Sequence, residues 1–276
     1  MRFKLAALPL MLLAATATAE EYNSITKASY QDISYDYSGF GLEQYNYEAD
    51  RFNLGTTYFF DGKETLGPLK EFEYINKVTN IYGDFSHYNR GSIDSDVFTV
   101  GGEYFASNGL VLGAQLADWG EENIDTLSLG YLFTPNFLVS LEHVDNDSDN
   151  ELSVNARYNH QLNATDYIGF DFYVDEEFDT RSLSSKYFTH LGGEQYLTVE
   201  LGYASLDEAD DYWMLGSEFF FTQRTSVGFT FDENEEFKLG MNHFFSRNFA
   251  VEAAYVSNTD SDFDYDIYQI GMTVQL

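Results

Sequence analysis

The sequence predicts a closed, antiparallel, all-β transmembrane barrel of about sixteen strands. Three observations point there: an export signal at the N-terminus, side-chain alternation with a period of two in segments of about ten residues, and connectors of two alternating kinds.

Arg2 and Lys4 precede an apolar run from Leu5 to Ala15 and the small-residue ending Ala17-Thr18-Ala19. This layout is that of a secretory signal cleaved before Glu20, so residues 1–19 are read as signal and residues 20–276 as barrel. The apolar run falls short of the ~20 residues that a spanning helix needs. The chain has no cysteine, which removes disulfides, a lipidated thiol and thiol–zinc sites. Acidic residues number 46 against 14 basic ones, for a formal charge of −32. A chain this acidic has no basic face for nucleic acid, yet its 44% hydrophobic and 18% aromatic content argues against a disordered tail.

The alternation is plainest at the end of the chain. From Tyr268 to Leu276 every even position is apolar or aromatic, and every odd one is Gln, Gly or Thr. The same pattern runs through Phe249 to Tyr255, Leu197 to Tyr203 and Ile168 to Val174. A soluble sandwich also alternates, but its apolar face is a core. Here the apolar face repeats along nearly the whole chain and is rich in Phe, Tyr and Leu, while the other mixes Gly, Ala and Thr with single charges. That is the arrangement of a barrel with lipid outside and a polar lumen inside. Closure follows, because lipid offers no hydrogen-bond partner to a sheet edge.

Taken in order, the strands are expected at 25–37, 45–59, 77–89, 95–106, 110–119, 124–133, 137–145, 151–161, 167–175, 180–190, 196–206, 212–221, 225–232, 236–245, 249–257 and 264–276. The first two are the least regular, so a barrel of fourteen strands with an ordered N-terminal segment is the alternative. Between strands, acidic connectors (118–123, 145–150, 175–179, 207–211, 232–236, 258–264) alternate with short connectors free of acid (107–109, 134–136, 162–165, 191–193, 222–224, 246–248). Short turns belong to the periplasmic end, so the acidic class is assigned to the exterior. Pro68 and Pro135 both fall in periplasmic connectors, where a missing N–H breaks no ladder. Aromatic residues near that end, namely Tyr58, Phe60, Tyr104, Tyr131, Phe133, Phe137, Phe219, Phe221, Phe245 and Phe249, are expected to form an interfacial girdle.

The segment Leu66-Gly67-Pro68-Leu69-Lys70-Glu71 resembles a motif of the general bacterial porins of Gram-negative proteobacteria. The terminal strand is similar to the assembly signal of outer-membrane proteins, except that it ends in Leu276 where Phe is usual. The resemblance implies an outer-membrane diffusion channel for small hydrophilic solutes, and brings no catalytic residues. It also implies surrounding lipid and lipopolysaccharide, recognition of the last strand by the barrel-assembly machinery, and room for a homo-oligomer. No cofactor is implied.

About sixteen strands leave an aqueous lumen where eight would fill it with side chains. No exterior connector is long enough to fold inward, so the wall side chains are expected to do most of the narrowing. The stretch 61–76 is the exception, free either to tuck under the mouth or to run along the rim. Alternation turns Glu103, Glu142, Glu200, Glu218 and Glu252 inward at a broadly common depth, with Asp84, Asp171 and Asp232 nearer the outer half. Fewer bases face them: Arg51, Arg157, Lys186 and Lys238, with Arg157 and Lys186 expected to form a basic patch. An excess of wall carboxylates focuses a negative potential, so weak cation selectivity is expected.

Two other classes of function compete with a channel. A surface adhesin or divalent-cation scaffold has its best feature in Asp145-Asn146-Asp147-Ser148-Asp149, but Asn150 and Ala156 stand where a calcium loop needs Gly and Glu. An outer-membrane hydrolase would need a nucleophile beside one of His87, His143, His160, His190 or His243, and none has a local motif. His87, with Asp94 and Asp96 nearby, comes nearest.

Overall fold

The computed structural model describes residues 21–37, 45–120, 123–146, 150–207, 209–259 and 263–276. The signal segment 1–19 and positions 147–149 of the calcium-like loop lie outside the described residues. Sixteen strands follow one another: β1 Glu21–Tyr37, β2 Tyr45–Glu64, β3 Asn80–Arg90, β4 Ile93–Phe105, β5 Leu110–Asp118, β6 Asn123–Thr134, β7 Phe137–Asn146 and β8 Asn150–Gln161. The second half continues with β9 Tyr167–Asp175, β10 Thr180–Gly192, β11 Gln195–Leu206, β12 Tyr212–Thr222, β13 Thr225–Asp232, β14 Glu236–Ser246, β15 Phe249–Asn258 and β16 Phe263–Gln275. Each strand pairs antiparallel with its sequence neighbours, and β1 closes on β16 from Ile25↔Gln275 to Tyr37↔Phe263. The sheet therefore has no free edge, which a lipid environment requires.

Register divides every strand into two faces. On β16, Ile270 is 58% exposed on the outer surface while Gln275 is 1% exposed, its amide donating to the Leu69 carbonyl inside the barrel. Eight of the girdle aromatics, Tyr58, Phe60, Tyr104, Tyr131, Phe133, Phe137, Phe221 and Phe245, lie exposed on the wall near the end that holds Glu21 and Leu276. Phe219 and Phe249 on the same face are half-buried. Several of these rings pack on one another edge to face, as Tyr58 does on Phe60 and Phe219 on Phe221, a geometry the ring quadrupole favours.

The largest departure from the sequence reading is at the first terminal-end connector. The strand β2 runs on to Glu64, because Lys63 and Glu64 continue the pairing with Tyr22 and Glu21 of β1. The connector that follows, residues 65–79, enters the barrel and crosses its mouth, so narrowing there is not left to wall side chains. Leu66 and Tyr74 pack on a row of buried aromatics, Tyr167, Phe188, Tyr196 and Phe220, contributed by β9 to β12. Leu69 packs on Phe244 of β14 and Ala250 of β15, and Ile75 on Val111 of β5 and Leu138 of β7. In the strand order those two anchor points stand across the cylinder from each other. Burying Leu69 and Ile75, each 2% exposed, contributes on the order of 1.5–3 kcal/mol apiece.

Backbone bonds fix the strap in place. Leu69 N–H donates to the Gln223 carbonyl at 2.8 Å, and Leu66 N–H and Glu71 N–H bond within the strap to the carbonyls of Glu71 and Pro68. Pro68 has no N–H to satisfy, so its burial costs no donor. Gly67 has φ of 127°, and a Cβ there would sit 2.4 Å from the Tyr196 hydroxyl. Only glycine meets both conditions.

Candidate functional site

The inner wall is built by the period-two register, which places charged residues at set positions beside small ones. Glu200 pairs with Gly216, Glu218 with Gly228, Glu252 with Gly271, Glu103 with Gly113 and Asp84 with Gly55. A glycine opposite leaves room for a carboxylate to lie along the wall. At Gly55 the space is already used: a Cβ there would meet Asp84 Oδ1 at 2.1 Å.

Several of these charges meet partners. Lys186 Nζ donates to both carboxylate oxygens of Glu71 at 3.0 Å and lies 3.3 Å from Glu200. Lys70 Nζ lies 2.7 Å from Glu218 Oε1, which also accepts from Ser226 Oγ. Arg157 Nε lies 2.6 Å from Asp171. Arg157 and Lys186 thus do not form the basic patch that the sequence suggested, because each is neutralised by carboxylates on adjacent strands or on the strap. Glu252 accepts from the Gln269 amide at 3.0 Å, and Glu103 from Asn80 and Asn76 at 3.0 and 3.3 Å. Glu142 shares its register positions with Ser128 and Ser153.

The remaining residues, Arg51, Asp232 and Lys238, form no ion pair among the described residues. Arg51 lies 5.3 Å from the centre of the Tyr88 ring. Asp232 accepts from the Tyr212 hydroxyl and from the N–H groups of Asn234 and Glu236, so it holds the β13–β14 turn at the other end of the barrel. Lys238 sits on β14 opposite Thr230 and Val256, and is in no ion pair among the described residues.

Sequence reasoning missed Lys70, Glu71 and Asn76, the strap residues that reach the wall charges. The only signal for Lys70 and Glu71 was that the motif sets two opposite charges directly after the apolar Leu66 and Leu69, and Asn76 had none. Burial pushes the Glu71 carboxyl above its ordinary range, against the pull of Lys186. Burial likewise pushes the Tyr74 phenol up to about 12, so it stays neutral beside the aromatic row.

Two cavities open on this wall. One of about 190 Å³ is lined by Lys70, Thr198, Glu200, Glu218, Lys238 and Glu252 among others. The second, of about 440 Å³, includes Lys27, Asn53, Asp84, Gln269 and again Glu252. Among the described residues no group of three or more His, Asp or Glu is placed to hold a metal ion. His87 pairs with Asp96 at 2.7 Å, both of them exposed.

Comparisons with known proteins agree on one architecture. A family model described as "Putative general bacterial porin" matches residues 3–276. No curated protein sequence matches the chain. Among solved structures, the outer membrane protein Omp33 of Acinetobacter baumannii superposes with a TM-score of 0.53 at 16% identity, covering 94% of this chain and 100% of that one. OpdQ of Pseudomonas aeruginosa gives 0.52 at 11% identity, covering 93% and 97%. At such identities these two likenesses speak to the fold alone.

Proposed function

The chain belongs to the general bacterial porin family and is an outer-membrane channel, and we propose that its lumen favours cations and that the strap 65–79 controls its periplasmic mouth. The family and fold are those of a diffusion channel for small hydrophilic solutes. What carries the reading of the strap is its packing across the mouth, with Leu69 on β14–β15 and Ile75 on β5 and β7. Cation preference rests on the wall charges. Arg157 and Lys186 are offset by Asp171, Glu71 and Glu200, whereas Glu252, Glu142 and Asp84 face the lumen with no cation in salt-bridge contact among the described residues. Carboxylates in a low-dielectric cylinder raise the local cation concentration.

In the same proposal, residues 1–19 are the export signal, and β16 presents the assembly signal to the barrel-assembly machinery. Outer-membrane lipid and lipopolysaccharide cover the apolar wall, which also leaves room for a homo-oligomer. Liposome swelling with size-matched cationic and anionic solutes tests the two main points. The cationic solute should enter faster, and Gly67→Ala, which drives a Cβ into Tyr196 on a strained backbone, should raise both rates by loosening the strap. Equal entry of both solutes would refute the preference, and a Gly67→Ala variant no leakier than the native barrel would refute control by the strap.

A further inference from the structure

We propose that the cavity between the strap and strands β11 to β15 is a binding site for small primary ammonium solutes, and that Lys70 is its built-in occupant. The inference rests on the reading of Glu200, Glu218 and Glu252 as lumen carboxylates. It goes further in naming one place and one chemical class.

Past its backbone, a lysine is an n-butylammonium ion. In this structure that ion reaches into the cavity from the strap, its head 2.7 Å from Glu218 Oε1. The head is not sealed in: the Lys70 side chain is 33% exposed, and the cavity beside it has a volume of about 190 Å³. Glu200 and Glu252 line the same space from β11 and β15, with Thr198 and Asn242 as neutral hydrogen-bonding groups. An ammonium group, with three N–H donors and no acceptor, suits such a lining of acceptors.

The lining also discriminates. Glu200, Glu218 and Glu252 stand on three different strands, Glu218 is already engaged by Ser226, and Glu252 by Gln269. They do not converge into the six to eight oxygens that a calcium ion takes. Lys238 lines the same cavity and suits the carboxylate of a solute that carries both charges.

A ligand on a tether competes with free ligand at an effective concentration set by the tether. The strap therefore weakens the site for its own solutes, and an ammonium solute that displaces Lys70 also removes one of the strap's two charged anchors.

The probe is n-butylammonium, titrated calorimetrically at low salt into purified full-length barrel in detergent. Lys70→Met keeps the length of the side chain and removes its charge, and should bind the probe at least about tenfold tighter than the native protein. Adding Glu218→Gln should abolish the gain, and tetramethylammonium, charged but without an N–H, should show none. Equal affinity in native and Lys70→Met protein overturns the site, as does a gain that survives Glu218→Gln or that tetramethylammonium shares. Folding is checked by heat-dependent gel migration, with Lys70→Gln as the second variant if Lys70→Met fails to fold. The titration passes no current, so a barrel that prefers cations without this gain loses the site and keeps the proposed function. A barrel that shows the gain without cation preference does the reverse.

Discussion

Glu71 is 6% exposed in a strap whose released form would place it in water. Docked, burial raises its carboxyl pKa above the ordinary 4.5, against the opposing pull of Lys186 and Lys70 and with Glu218 adding to the rise. The charged groups around it are Lys186 on β10, Glu200 on β11, Glu218 on β12 and Lys70 on the strap itself. A carboxyl that binds its proton more tightly when docked favours docking in acid. Its contribution is complete below about pH 4.5 and is lost as pH rises through the raised value. The open fraction of single channels should therefore grow with pH across that window, and Glu71→Gln should flatten the profile. A native barrel whose open fraction is independent of pH there would contradict this assignment. Which side of the sheet a residue such as Glu218 or Glu252 takes is legible in the sequence, because a period of two leaves two choices. Its partners are not: Lys70 is 148 positions from Glu218, and a connector has no periodicity from which to read direction.

For strands, turn chemistry made the boundaries legible. Every short connector, such as Thr134-Pro135-Asn136 or Thr222-Gln223-Arg224, fell where a strand ends within one or two residues. The exception, the end of β2, has a physical reason: Gly62, Lys63 and Glu64 read as a polar connector, yet the early start of β1 at Glu21 gives Lys63 and Glu64 partners in Tyr22 and Glu21. The alternative of fourteen strands fell for the same reason, since β1 and β2 pair along nearly their whole length. The outer face of β16 carries a second prediction. Met272 is 45% exposed beside Ile270, and an arginine there should cost about 2–4 kcal/mol near the bilayer midplane, falling toward the interfaces. Unfolding titrations of Met272→Arg in lipid vesicles measure this, and a variant as stable as the native barrel would mean that this face does not meet lipid.

Closure, an apolar outer face and an acidic chain combine into one oriented object. Glu21, Leu276 and the strap share one end, assigned to the periplasm because the shorter turns are there, and the acidic connectors share the other. A tag inserted at Asp210 should then be labelled on intact cells, and one at Asn163 should not; the opposite pattern would reverse the barrel. The strap was only half legible at this level. Its length marked 61–76 as unusual, but whether it tucked in or lay on the rim depended on the pockets that Phe244, Ala250, Val111 and Leu138 form once the barrel has closed. What passes through the closed barrel depends on the charges that the wall keeps after the strap has taken its share. Reversal potentials across a KCl gradient in planar bilayers read this out. The native protein should prefer potassium, the preference should fade toward 1 M salt, where the Debye length shrinks to about 3 Å, and joint replacement of Glu200, Glu218 and Glu252 by Gln should move the potential toward zero. Chloride preference in the native protein, or an unchanged potential in the triple variant, would contradict a lumen governed by its carboxylates.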